Sequence, residues 1–234
     1  MKYWVTNNGT KIYRVLSGRS NAYLVVNNTH AALIDTGTSS AYSKLLSNIA
    51  RVDLQGKIDC LILTHTHFDH CQSAYKVKVE NQCKIVVSKN AENSVANGYT
   101  RIPNGTFLYT KLISKVGRFI GKKRFGYHTF SPDILIENSE YRIPSLNVKI
   151  IETPGHSSDS ISIVVDNEIA IVGDAMFGVF KNSILTPFAD NKNKLVESWK
   201  KCLDTDCNLF LPGHGHCISR KLLEKQYYRY KTKA

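Results

Sequence analysis

Four metal-ligand side chains fall within six residues of the segment Thr64-His65-Thr66-His67-Phe68-Asp69-His70. His65 and His67 are two positions apart, so in an extended segment their side chains point the same way. Asp69 and His70 follow after a change of direction and can face a second point nearby. One tetrahedral ion does not readily accept all four side chains from so short a segment, whereas two neighbouring ions do. The spacing therefore predicts a dinuclear metal site.

Three further motifs place ligand-type residues directly after apolar, strand-like runs. They are Thr153-Pro154-Gly155-His156, Gly173-Asp174 and Pro212-Gly213-His214-Gly215. Glycine permits close approach of the backbone, and α/β folds place their sites at the ends of strands. His156, Asp174 and His214 are therefore candidates to complete the metal site.

The ordered motifs HTHFDH, PGHS, GD and PGHG resemble the metallo-β-lactamase fold superfamily, in its glyoxalase II-like and lactonase-like branch. The resemblance extends over about residues 20–217. It implies a four-layer αβ/βα sandwich of two mixed β-sheets, with helices on the outer faces and the metals at one edge. We therefore expect a single domain over residues 1–234.

The resemblance also implies a role for each candidate residue. One ion would be held by His65, His67 and His156, the other by Asp69, His70 and His214, and Asp174 would bridge both. Asp35, in the early Asp35-Thr36-Gly37, would orient a ligand histidine without touching the metal. A plain turn at Asp35 is the alternative.

The types of ligand side chain limit the metals and the reactions that we expect. Imidazole and carboxylate without thiolate suit two zinc ions, with iron or manganese as alternatives. Diiron redox relatives usually carry Glu at the position of His67 and an added flavin domain, so we expect a hydrolase. Two cations lower the pKa of a shared water to about 7, and the bridging hydroxide would attack the substrate. Asp69 is the expected catalytic residue, orienting the hydroxide or moving its proton.

The chain is basic, with 31 Lys+Arg against 19 Asp+Glu and a formal net charge of +12. No acid occurs in the segment 93–132, whose cations are Arg101, Lys111, Lys115, Arg118, Lys122, Lys123 and Arg124. Such a charge favours an anionic partner, and a solvated basic surface is the alternative. We predict that this segment is a flap inserted beside the metals.

Within this flap, Phe107 to Gly121 has the spacing of an amphipathic helix. Its apolar side would either cover the substrate or pack on the sandwich, and would comprise Leu108, Leu112, Val116 and Phe119 or Ile120. Lys111, Lys115 and Arg118 would lie on the other side. Candidates for a substrate hydrogen bond are Tyr99, Tyr109, Tyr127 and His128.

The predicted substrate is a small molecule, either anionic or neutral, that contains an ester, thioester or lactone. The alternatives are a phosphodiesterase acting on RNA or DNA, β-lactam hydrolysis as a side activity, and a non-enzymatic metal-binding regulator. The six cysteines form no CxxC pair, and no apolar run is long enough to span a membrane or resembles an export signal. We therefore expect a cytoplasmic protein with reduced thiols; its oligomeric state is not indicated.

The elements that must position these residues follow from the apolar periodicity. We predict a hairpin of the strands 22–26 and 31–34, a helix over 40–50 and buried strands at 60–63 and 85–87. A helix is predicted near 72–79. Strands follow at 148–151, 161–165, 169–172 and 209–211, with helices over 195–203 and 221–230. Hairpins mixed with strand-helix-strand units indicate mixed sheets with helices outside.

Overall fold

The computed structural model describes residues 1–231, and the last three residues of the predicted domain lie outside the described residues. The strands are β1 (Tyr3–Val5), β2 (Lys11–Leu16), β3 (Ala22–Asn27), β4 (His30–Ile34), β5 (Ile58–Ile62), β6 (Lys84–Ser88), β7 (Ile134–Ile136), β8 (Glu140–Ile143), β9 (Val148–Glu152), β10 (Ile161–Val165), β11 (Ile169–Gly173), β12 (Leu209–Pro212) and β13 (Ile218–Ser219). The α-helices are α1 (Tyr42–Ile49), α2 (Phe68–Cys71), α3 (Ala74–Asn81), α4 (Glu92–Asn97), α5 (Leu108–Ile120), α6 (Lys122–Phe125), α7 (Lys192–Leu203) and α8 (Arg220–Lys231).

Two mixed sheets form the centre of the molecule. The first has the order β1-β2-β3-β4-β5-β6-β7, antiparallel up to β4 and parallel from β4 to β7. The second has the order β13-β12-β11-β10-β9-β8, in which only the β11–β12 pair is parallel. Strands such as β10 and β11 are buried along their whole length, which is why they read as continuous apolar runs.

Three apolar cores separate four layers. Between the two sheets, Ile62 belongs to the same buried cluster as Ile163. On the outer face of the first sheet, Leu45 of α1 packs in a second cluster. On the outer face of the second sheet, Trp199 of α7 and Leu223 of α8 form a third. This arrangement confirms the predicted four-layer αβ/βα sandwich.

Hydrogen bonds join the sheets at the edge where the ligand motifs lie. The backbone N–H of Asn21 donates to the carbonyl of Gly213 at 2.7 Å, and that of Ile161 donates to the carbonyl of Thr64 at 2.8 Å. The loops after β5 and β12 are therefore held by the opposite sheet. Within residues 1–231, no helix combines the length and the apolar character needed to cross a membrane.

Candidate metal centre

The segment after β5 changes direction at a short helix that the sequence analysis did not predict. His67 is extended (φ −67°, ψ 147°) and caps α2, whose single turn contains Asp69 and His70. His67 therefore lies in extended backbone after the strand, while Asp69 and His70 are redirected by the helical turn. The two expected ligand pairs are separated for this reason.

The first ligand group comprises His65, His67 and His156, whose available ligand atoms lie within 4.8 Å of one another. His67 Nδ1 and His156 Nε2 are 2.9 Å apart. The remaining ring nitrogens face outward, to oxygens of the protein: His67 Nε2 lies 3.2 Å from the carbonyl of Arg101, and His156 Nδ1 lies 2.8 Å from that of Phe188. These outer contacts fix the rings and leave the inner nitrogens facing a common point.

The second ligand group comprises Asp69, His70 and His214, also within 4.8 Å. His70 Nε2 is 3.3 Å from His214 Nε2, and His214 Nε2 is 3.6 Å from Asp69 Oδ2. Asp174 lies between the groups, with its carboxylate oxygens 3.4 Å from His70 Nε2, 3.3 Å from His214 Nε2 and 3.7 Å from His156 Nε2. Asp174 thus occupies a bridging position.

Asp35 supports both groups from the end of β4. Its backbone is left-handed (φ 61°), a conformation that Asp tolerates better than most residues. Its carboxylate accepts hydrogen bonds from Thr64 N and Thr64 Oγ1, both at 2.8 Å, and lies 2.8 Å from His70 Nδ1. Thr64 Oγ1 in turn lies 3.0 Å from His65 Nδ1. Asp35 therefore contacts His70 directly and His65 through Thr64, so it links the two groups.

Burial sets the protonation of the first group. It lowers the pKa of His65 well below its usual range, lowers that of His67, and lowers that of His156 to about 4. Neighbouring imidazoles add to the lowering at His65 and His156, because two adjacent rings do not readily carry protons together. These rings are neutral at neutral pH, the form that binds a cation.

For the two histidines of the second group, the pKa is shifted in the opposite direction. Burial opposes a charge on His70, but the carboxylates of Asp174 and Asp35 outweigh it and raise the pKa above the ordinary value. At His214, Asp174 likewise outweighs burial and raises the pKa. Burial would raise the pKa of Asp174, yet His214 and His70 hold it well below its usual range. The attraction between the two imidazoles and Asp174 thus favours a proton on each ring and an ionised carboxylate.

Within residues 1–231, two buried atoms at the centre have no hydrogen-bond partner: His65 Nε2 and Asp174 Oδ1. Unpaired buried polar atoms are costly, and a coordinated cation would satisfy both. Gly213 provides the space, because a Cβ at this position would collide with Asp174 Oδ1 and His70 Cε1. The donor set of imidazoles and carboxylates, with these free atoms, fits two divalent cations.

A cavity of about 280 Å³ opens above the ligands. Its floor is formed by His67, Asp69, His156, Asp174 and His214. Its walls are mostly apolar and include Phe68, Ile102, Pro103, Ile113, Phe125, Phe177, Pro187 and Phe188. Arg19 adds a guanidinium to the wall, and its centre lies 5.0 Å from the ring of Phe68. The cavity thus suits a small, partly apolar substrate with an anionic group.

The four residues predicted to bind substrate are absent from this lining. The hydroxyl of Tyr127 is buried against Thr100 Oγ1 at 2.8 Å, and Tyr109 is exposed beside Phe107. His128 stacks on Tyr75 with ring centroids 3.9 Å apart. The fourth, Tyr99, makes a backbone hydrogen bond to Ser94. These positions do not support direct contact between the four side chains and a substrate in this cavity.

The predicted flap contributes through other residues. Ile102, Pro103, Ile113, Gly117 and Phe125 belong to the cavity lining. The expected amphipathic helix is present as α5, but of its large apolar side chains only Ile113 is among the lining residues of the cavity that the structure describes. Its buried positions are the small residues Thr110, Ser114 and Gly117, while its large apolar side chains are exposed. The close packing of α5 through small residues leaves the large ones outside.

The sequence analysis missed several supporting residues. Asp159 Oδ2 accepts hydrogen bonds from Thr66 N at 2.9 Å and from Thr66 Oγ1 at 2.6 Å, which holds the backbone between His65 and His67. An acid three residues after His156 was the available signal. No sequence pattern linked Arg19 to the site, because it lies in the loop before β3, far from the ligand motifs in sequence.

Comparisons with known proteins agree with the motifs. The family model described as metallo-beta-lactamase superfamily matches residues 17–214. The "Probable metallo-hydrolase MJ0888" of Methanocaldococcus jannaschii is 28% identical over 86% of this chain and 90% of its own length. A hydroxyacylglutathione hydrolase of Rhodopseudomonas palustris is 25% identical over 56% of this chain and 39% of its own. The structure of the BLEG-1 B3 metallo-beta-lactamase superposes with a TM-score of 0.70 at 20% identity, covering 93% of this chain and 97% of that one.

Proposed function

Because this chain belongs to the metallo-β-lactamase superfamily, we propose that it uses two zinc ions to hydrolyse a small ester, thioester or lactone. Membership confirms the expectation of a metal-dependent hydrolase. The class of substrate, the identity of the metal as zinc and the assignment of the ligands are parts of this proposal. The cytoplasmic location stays a prediction from the sequence.

One observation carries the proposal: within residues 1–231, buried His65 Nε2 and Asp174 Oδ1 have no hydrogen-bond partner. Both residues belong to one cluster of potential ligands, and Asp174 forms part of the floor of a small cavity. The proposed ligands are His65, His67 and His156 for one ion and Asp69, His70 and His214 for the other, with Asp174 shared. Bound there, two divalent cations would supply an ionised water at neutral pH and a site that polarises the substrate's carbonyl oxygen.

The chain's own residues supply the remaining functions. Asp69 presents its carboxylate at the cavity floor, with Oδ2 3.6 Å from His214 Nε2, where it can hold a proton taken from the attacking water. Asp35 keeps His70 oriented during the reaction. The apolar walls exclude bulk water, and Arg19 attracts an anionic group of the substrate.

The size of the cavity favours a small substrate over a nucleic acid. A volume of about 280 Å³ accommodates an acyl group or a lactone ring, and its walls are rich in aromatic and aliphatic side chains. The relative named hydroxyacylglutathione hydrolase supports a thioester, and a relative named atrochrysone carboxyl ACP thioesterase, from Aspergillus fumigatus, agrees with it. Phosphodiester hydrolysis is the second candidate, supported by the net charge of +12.

The test combines metal counting with a panel of substrates. The zinc-loaded protein should contain two ions per chain and hydrolyse thioesters or lactones faster than β-lactams or phosphodiesters. His156→Gln should lose both metal and activity. His30→Gln is the matched control, because His30 also contacts an aspartate but lies exposed at the surface. Saturation at one ion, or cleavage of phosphodiesters alone, contradicts the proposal.

A further inference from the structure

Helix α5 exposes an unusual apolar face, defined here as the α5 outer face: Leu108, Tyr109, Leu112, Ile113, Val116, Phe119 and Ile120. Leu108 is 87% exposed, Leu112 66% and Phe119 94%. The opposite side of the helix packs on the protein through small residues. Single exposed apolar side chains are ordinary, but a contiguous stripe along a whole helix marks an interaction surface.

Positive charges flank this face. Lys111 and Lys115 are one helical turn apart on α5, and Lys122, Lys123 and Arg124 follow in α6. Within the described part of the chain, no carboxylate lies within 4.0 Å of these five cationic groups. Arg118, by contrast, lies 3.7 Å from Asp190. These five cationic side chains are therefore available to an anionic partner outside the fold.

From these two features we propose that the α5 outer face docks the protein on anionic lipid membranes. The apolar side chains would enter the headgroup region while the flanking cations contact lipid phosphates, as in interfacial amphipathic helices. The 13 residues of α5 extend about 20 Å, which suits a helix lying in the interface. The inference is independent of the reaction that the metal centre catalyses.

Charge complementarity favours lipid over a second copy of the chain. A symmetric pair of α5 helices would bring two sets of uncompensated lysines together, and such like-charge contacts oppose association. An anionic bilayer instead offers both an apolar interior and negative headgroups over the length of the helix. An acidic protein would satisfy the cations but does not by itself account for the apolar stripe.

A second exposed apolar pair lies next to a lining residue of the cavity. Val179 is 54% exposed and Phe180 43%, and the Phe180 ring lies 5.7 Å from that of Phe177, a lining residue of the cavity. Ile113 belongs both to the α5 outer face and to the cavity lining. Docking through both the α5 outer face and the Val179–Phe180 pair would turn the cavity mouth toward the lipid.

Cosedimentation of the metal-loaded chain with vesicles tests the docking. Vesicles containing phosphatidylglycerol should bind the protein, vesicles of phosphatidylcholine alone should bind it at least about tenfold more weakly, and added salt should reduce the binding. Leu112→Ser with Phe119→Ser should lower the affinity by about tenfold or more, and Lys111→Gln with Lys115→Gln should do the same.

Matched controls separate this surface from general effects. Val79→Ser with Tyr228→Ser removes two apolar side chains that are exposed elsewhere on the surface. Lys44→Gln with Lys57→Gln removes two exposed lysines. Both controls should bind vesicles as the unaltered chain does. In Phe119→Trp, the added fluorophore should show a blue-shifted emission with anionic vesicles.

Each other outcome overturns the proposal. Absence of binding to anionic vesicles contradicts it directly, as does equal binding by the α5 variants and their controls. A concentration-dependent dimer that is lost in the Phe119→Ser variant would make the face a contact between copies. Capture of an acidic protein through α5, with vesicles left unbound, would assign the face to a protein partner.

Discussion

Asp35 holds His70 from the end of a neighbouring strand, with Oδ2 2.8 Å from Nδ1 and both side chains buried. The left-handed backbone of Asp35 directs its carboxylate toward Thr64 as well as His70. Asp35, which is not among the proposed ligands, therefore fixes the orientation of the imidazole that we propose binds the metal.

Asp35→Asn should weaken metal binding by about 10- to 100-fold while leaving the fold intact. Asn tolerates the left-handed backbone but presents a neutral amide in place of a carboxylate oxygen to His70. Competition with a chelator measures the affinity. The matched control is Asp59→Asn, since Asp59 Oδ2 lies 3.0 Å from His30 Nδ1 in an exposed pair. Equal effects of the two substitutions would exclude the orienting role.

Asp174→Ala should reduce metal content more than Asp69→Asn. Asp174 lies within 3.7 Å of ligand nitrogens from both groups, whereas Asp69 contacts only the second. Asp69→Asn should retain much of its metal yet lose most of its hydrolysis, because an amide does not accept the proton of the attacking water. Elemental analysis and kcat measured on the same preparations separate the two effects. Comparable metal loss in both variants would contradict the separate role of Asp69.

Metal binding should release protons from the second ligand group but hardly from the first. The pKa of His70 and His214 is raised, so without metal these rings hold protons that an incoming cation must displace. The pKa of His156 is about 4 and those of His65 and His67 are lowered, so these rings carry few protons to release.

Calorimetric titration with zinc in two buffers of different ionisation enthalpy counts these protons. At about pH 6, ionisation of bound water, with a pKa near 7, contributes little. His214→Gln should release fewer protons per chain than the unaltered protein. His30→Gln, which changes an exposed histidine, should release the same number as the unaltered protein. Equal proton release by all three proteins would refute the assigned protonation states.

Replacing Lys122, Lys123 and Arg124 together with Ser should change the hydrolysis of a soluble small substrate by less than about twofold at any salt concentration. These cations lie in α6, outside the floor of the cavity. If these cations bound the phosphates of a nucleic acid, the affinity for that nucleic acid would instead fall steeply with salt, since each neutralised phosphate releases counterions. The dependence of kcat/KM on salt decides between the two. A steep, cation-dependent loss would favour the phosphodiesterase alternative.

Much of the architecture could be predicted from local patterns. The apolar runs of β10 and β11 are long and uninterrupted because both faces of these strands are buried, so they are recognisable without the fold. The short helix α2 was not predicted, because a segment of four residues is too short to show helical periodicity.

The sequence by itself determined which residues are candidate ligands and that they follow the ends of strands, because His, Asp and Gly at these spacings have few other uses. Only the tertiary structure decided how they meet. Asp35 reaches His70, and Asp159 reaches Thr66, across distances in sequence that no local pattern describes. The direction of α5 was likewise decided by packing: close contact through Thr110, Ser114 and Gly117 required small side chains, which forced the large apolar residues outward.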